Sequence, residues 1–194
     1  MTTVSDLVSD VAKITREPRE TVNAYARALI DGGLLPKSSG RAIAHVTPRH
    51  VARLFLAIAL EPKIKDTADT VATYGALVAG GVPKSAPASI ERTTAEDWLC
   101  GMLCAIKQDN GDAADRAQNR DTEVEIILNW PEIIVKAPEA GEYGEFCQHF
   151  TAPGSPATHW RGYVKRSYTI HGRTFAVLGG ERAGEYFVDQ KAEQ

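Results

Sequence analysis

Apolar side chains recur at helical spacing through the first third of the chain and at alternate positions in its last third. Val4, Leu7, Val8, Val11 and Ile14 form one helical face, with Asp6, Asp10 and Lys13 on the other, and Thr3-x-x-Asp6 supplies a helix start. "TREP" (15–18) breaks the pattern. Pro18 suits the first turn of the next helix, where its missing N–H has no partner to lose. Val22, Tyr25, Ala26, Leu29 and Ile30 make a second stripe, which Gly32-Gly33 closes because glycine accepts the left-handed conformation that ends helices. After a polar "KSSGR", residues 42–46 predict a short strand, the edge of a small hairpin or wing. Thr47 and Pro48 then open a third helix with Val51, Leu54, Phe55 and Ile58 inward. A fourth helix is expected from Asp66 to about Ala79.

The stretch 81–92 is dense in Pro, Ser and Ala and reads as a linker. Thr93-x-x-Glu96 has the capping-box spacing and precedes a helix carrying Trp98, Leu99, Met102 and Leu103. Residues 107–121 are polar and predict a loop. From Glu123 the period becomes two, with Val124, Ile126, Leu128 and Trp130 alternating, and Pro131 marks a break before Ile133-Ile134-Val135. "YGEFCQHF" and "GYVKRSYTI" predict further strands. The expectation is an α+β protein. Residues 1–80 would be a winged helix-turn-helix, and 93–194 a helix plus a small antiparallel sheet serving assembly or partner contact.

Charge sharpens this division. The net charge is −3, yet residues 1–60 carry eight Lys/Arg against five Asp/Glu, a local +3, while the remainder carries −6. A basic first third on an acidic chain points to an anionic partner for that third. No apolar run is long enough to span a bilayer, and Asp6 and Asp10 interrupt the N-terminus too early for a secretory signal, so a cytoplasmic location away from membranes is expected. Three cysteines without regular spacing fit a reducing compartment.

A helix that follows a tight turn and opens on polar and basic residues has the layout of a DNA reader, whose first turns enter the major groove. The candidate contacts there are Arg16, Arg19, Thr21, Asn23 and Arg27, beside Glu20. Arginine and asparagine can address guanine and adenine edges bidentately, and threonine a phosphate or thymine methyl. Lys37, Ser38, Ser39 and Arg41 in the wing would hold neighbouring phosphates, which position without reading sequence.

The run "VAKITREPRETVNAYAR…GGLLPKSSGRAIAHVTPRHVARL" resembles the DNA-binding domain of MerR-type winged-helix regulators. The likeness lies in the apolar-Ala-Lys of the first helix, Thr-x-x-x-Tyr in the second, the Gly-Leu-Leu-Pro exit, a basic wing and the following helix. It covers the N-terminal third only. The wing departs from the family's Gly-Tyr-Arg-x-Tyr, having Gly-Arg-Ala-Ile-Ala, and no heptads follow Leu60 to make the family's dimerising coiled coil.

The resemblance implies a sequence-specific protein of double-stranded DNA; a basic reader on an acidic, non-catalytic remainder suggests a transcriptional regulator of phage or mobile-element type without a cofactor, and one module of this size calls for a homo-oligomer. The alternatives are a small terminase-like packaging protein, an excisionase-type accessory, or a module that docks proteins and not DNA. Other chemistry finds less support. Cys100, Cys104, Cys147 and His149 could supply four zinc ligands, but apolar neighbours favour core thiols and no metal is expected. Glu142, Glu145 and His149 lack a nucleophile or orienting group at an interpretable spacing, so no enzyme is expected. "LGGERAG" lacks the Gly-Lys-Ser/Thr ending of a phosphate loop.

Overall fold

The computed structural model describes residues 3–38, 44–87, 92–108, 122–138, 145–155, 164–172 and 174. Helices occupy the N-terminal part and an antiparallel sheet the C-terminal part, an α+β arrangement.

Helix α1 (Val4–Thr15) starts at a reciprocal cap: Thr3 Oγ1 accepts the Asp6 N–H, and the Asp6 carboxylate accepts the Thr3 N–H. It ends at Arg16, which sits in the left-handed region with φ 62°. Residues 16–18 turn the chain into α2 (Arg19–Asp31), with Pro18 just outside the helix and its carbonyl accepting the Val22 N–H. At the other end Gly33 takes φ 73°, and the N–H groups of Leu34 and Leu35 both return to the Leu29 carbonyl. Gly32 is held bare by packing, because a Cβ there would collide with the Ala68 Cβ.

Of the expected strand at 42–46, residues 44–46 are described, and His45 forms an isolated antiparallel bridge with Thr3. Helix α3 (Pro48–Leu60) opens on Thr47 and Pro48. His50 takes the part a glutamate usually plays in a capping box, its Nδ1 accepting the Thr47 N–H at 2.9 Å.

Two expectations about the middle of the chain are corrected. The fourth helix ends early: a 3-10 turn (Ile64–Asp66) leads into α4 (Thr67–Gly75), and Val78–Ala79 form strand β1. Helical spacing continues through Leu77 and Val78, but pairing with a distant strand claims Val78 and Ala79. Helix α5 (Ala95–Gln108) is capped one residue later than expected, by Thr94 and Asp97, with the Asp97 N–H donating to Thr94 Oγ1. Glu96 is engaged elsewhere, accepting from Arg53 Nε (3.1 Å) and Nη2 (3.0 Å) and from Arg49 Nη1 (2.5 Å).

Strands β2 (Glu123–Ile127), β3 (Glu132–Pro138), β4 (Glu145–Thr151) and β5 (Ser167–His171) complete a sheet of order β1-β4-β3-β2-β5, antiparallel throughout. The period-two pattern overruns β2, since Leu128–Trp130 belong to the turn before β3. Val124, Ile126, Ile133, Val135, Phe150 and Ile170 share the face that meets the helices, where the Phe150 and Trp98 rings lie 6.1 Å apart. One continuous apolar cluster runs from Leu7, Val11, Val22 and Leu29 through α3 and α5 to these sheet residues. It includes residues on both sides of the expected linker, and β1, which precedes that stretch, hydrogen-bonds to β4, which follows it.

Candidate nucleic-acid interface

Helix α2 buries Val22, Tyr25, Ala26 and Leu29, with Thr21, Ala28 and Ile30 half-buried beside them. Arg19, Glu20, Arg27 and Asp31 are exposed, and Asn23 and Ala24 are half-buried. At four-residue spacing Arg19, Asn23 and Arg27 fall in one row along the helix, with Glu20 and Ala24 in the next. Arg16 is exposed at the turn leading into this row. Thr21 is half-buried on the opposite flank, about 160° around the helix from Asn23 at 3.6 residues per turn, so it does not join the row.

The row is lightly held. Arg19 Nη2 lies 3.5 Å from Ser5 Oγ, a marginal contact with α1, and no side chain caps the first turn of α2. The inner flank differs in charge. Tyr25, whose hydroxyl donates to the Pro62 carbonyl at 3.3 Å, has its pKa raised by burial first and then by Glu61 and Glu17. Tyr168 of β5 is raised by burial and the same two carboxylates. Glu17 and Glu61 therefore lie near the two tyrosines, while the outward side of α2 carries Glu20 and Asp31 as well as Arg19 and Arg27.

Lys37 and Ser38 are exposed at the start of the loop before α3. Ser38 Oγ accepts the Ala44 N–H at 3.2 Å, which draws the two ends of that loop together. Ser39 and Arg41 lie outside the described residues.

The basic excess of the first third is partly internal. Arg49 and Arg53 of α3 join Glu96 and Asp97 of α5, with Arg49 Nη2 to Asp97 Oδ1 at 2.6 Å, and Arg53 Nη1 also donates to the Leu34 carbonyl at 2.9 Å. These two cations hold the helices together. Lys13, Arg16, Arg19, Arg27 and Lys37 are the exposed cations of this region outside that cluster, among the described residues.

The four zinc candidates are divided by the sheet. Helix α5, with Cys100 and Cys104, packs on the Phe150 face, whereas Cys147 and His149 alternate with Phe150 and point to the other face. Among the described residues no group of three or more His, Cys, Asp or Glu could hold a metal ion. Cys100 and Cys104 are half-buried, and burial together with neighbouring Cys104 pushes the Cys100 thiol up to about 11. Cys147 is exposed, correcting its expected place in the core: it stands on the sheet face turned away from the helices.

Of the acid–base candidates, His149 is joined by groups that spacing does not reveal. Its Nδ1 lies 2.8 Å from Glu132 Oε1 and its Nε2 3.6 Å from Cys147 Sγ. Cys147-x-His149 on a strand shows that these two share a face. Glu132 joins them only through the register of β3 on β4, which carries no local mark. Glu142 and the side chain of Glu145 lie outside the described residues. No helix among the described residues is long and apolar enough to cross a membrane. No protein-family model, curated protein or solved structure matches this chain.

Proposed function

We propose that this chain is a sequence-specific duplex-DNA-binding protein that reads the major groove with α2. In this reading α1, the 16–18 turn and α2 act as a helix-turn-helix, and the loop from Lys37 to Ala44 is its wing. The carrying observation is the row of Arg19, Asn23 and Arg27 on the outward face of α2, continued by exposed Arg16. A helix with its side chains is about as wide as the major groove, and the 13 residues of α2 give about 20 Å of length to lay in it. Arg19 and Asn23 would address base edges. Arg16, Arg27, Lys37 and the hydroxyl of Ser38 would hold phosphates, and Ser39 and Arg41 keep the wing role the sequence assigns them. Thr21 is left with at most a backbone contact at the groove edge.

Five exposed cations next to Glu17 and Glu20 make a modest electrostatic footprint. Tight binding therefore calls for two copies on paired half-sites, as expected of a small regulator of phage or mobile-element type.

The test is fluorescence anisotropy of the intact protein with random and selected duplexes across a salt series. Arg19→Ala or Asn23→Ala should weaken the selected site by about 1–3 kcal/mol and relax its preference. Lys37→Ala should weaken all duplexes alike and flatten the salt dependence by about one counterion. No binding to random duplex at low salt, where phosphate attraction is strongest, would refute the reading and leave a protein-docking module.

A further inference from the structure

The face of the sheet turned away from the helices carries a second constellation, distant in kind from the arginine row. Cys147 and His149 of β4 stand two residues apart on this face, and Glu132 of β3 lies diagonally across from His149, which pairs with Ile134. Glu132 is fully buried. Its Oε2 accepts the Trp130 Nε1 hydrogen at 2.8 Å and its Oε1 faces His149 Nδ1 at 2.8 Å. With Glu132 as the acceptor of this bond, Nδ1 carries its hydrogen and Nε2 keeps its lone pair, the arrangement the proposal below requires. That lone pair points at Cys147 Sγ, 3.6 Å away, within hydrogen-bond reach for sulfur. Exposure rises along the chain of groups: Glu132 has none, the His149 side chain has 28% and Cys147 is open to solvent.

The backbone adds a donor. The His149 carbonyl accepts from Gly80 N–H on the β1 side, so the N–H of Cys147, two residues earlier, is directed to the same edge of β4. The register of β1 on β4 takes in Phe150 and Thr151, so this edge at Cys147 lies beyond its ladder. A carbonyl oxygen brought against Sγ from that edge would meet the Cys147 N–H, the position from which an oxyanion is stabilised.

We propose that Cys147, His149 and Glu132 form a thiol-nucleophile site that accepts acyl groups from activated esters or thioesters. Sγ attacks the acyl carbon, the thiol proton passes to His149 Nε2, and the Sγ–C bond forms as the bond to the leaving oxygen or sulfur breaks. The imidazolium returns its proton to the leaving group. Water then attacks the thioester on Cys147 with its proton going to Nε2, and the thiol is regenerated as the C–S bond breaks. Glu132 is the positioning residue that fixes the imidazole tautomer.

The experiment uses the intact protein and p-nitrophenyl acetate, following phenolate release and locating acetyl groups by peptide mass spectrometry. Cys147 should acetylate faster than Cys100, Cys104 and free N-acetylcysteine in the same solution. His149→Asn keeps an N–H toward Glu132 while removing the base, and should slow acetylation about 100-fold with unchanged thermal stability. Glu132→Gln should also slow it, and His149→Gln should not restore it. Wild-type Cys147 reacting no faster than the free thiol would overturn the proposal whatever the variants do, as would an undiminished rate in folded His149→Asn.

Discussion

Glu96 ties α5 to α3 through two arginines, and replacing it by glutamine tests how far the helical part of the molecule depends on it. Its side chain is 11% exposed and receives three guanidinium N–H groups, two from Arg53 and one from Arg49. Gly75 lies beneath it, with room for a Cβ only 3.0 Å from Glu96 Oε2. Glu96→Gln keeps the shape but removes the charge opposite Arg53, whose side chain is only 18% exposed. Breaking a buried pair from one side costs about 3–5 kcal/mol. Arg53 keeps the Leu34 carbonyl and some water, and Arg49 keeps Asp97, so the lower end, about 3 kcal/mol, is expected. In a chain of this size that is a fall of roughly 6–12 °C in Tm. Asp97→Asn provides the contrast: Asp97 and Arg49 are both nearly half exposed, and such a pair is worth about 1 kcal/mol or less. Urea unfolding followed by circular dichroism and by tryptophan fluorescence reads both variants. A double-mutant cycle with Arg53→Met should show a coupling of about 2 kcal/mol. Glu96→Gln costing no more than Asp97→Asn would refute the reasoning.

Arg16→Gly should raise stability by about 0.5–1 kcal/mol, by relieving the left-handed backbone of a residue with a Cβ, while weakening the DNA binding proposed above. Melting and anisotropy together check this, and a loss of stability would contradict it. Tyr74→Phe should cost about 1–2 kcal/mol, because the Tyr74 hydroxyl donates to the Ile127 carbonyl at 2.5 Å and also lies 3.1 Å from that of Trp130. Burial pushes the Tyr74 pKa up from 10.0 to about 12, so its contribution is complete below pH 10 and lost as pH rises toward 12. The variant should show a flatter urea midpoint across that window. His50 has its pKa lowered from 6.5 by burial first and then by Arg53, in a position where neutral Nδ1 must accept the Thr47 N–H. Its contribution is present above pH 6.5 and lost as pH falls through the depressed value, and His50→Ala should remove that slope from the acid limb of the stability profile.

What depends on near neighbours along the chain can be read from the residues alone. Helices α1, α2 and α3 are set by apolar stripes, and their ends by Thr3 with Asp6, by Gly33 and by Thr47 with Pro48, all interactions within about one helical turn. The exposed arginine row of α2 is the complement of its buried stripe, so it was legible as well. Alternation marked the sheet strands for the same reason. Tertiary structure alone decided what depends on register and on distant charge. Val78 and Ala79 left a helical pattern because β4 offered backbone partners, and Glu96 left its cap because two arginines of α3 needed a counter-charge. Arg49 and Arg53 are thereby paired with carboxylates of α5, although Arg49 stays nearly half exposed. The meeting of Cys147, His149 and Glu132 depends on how β3 slides along β4, and a shift of one residue would turn Glu132 to the opposite face.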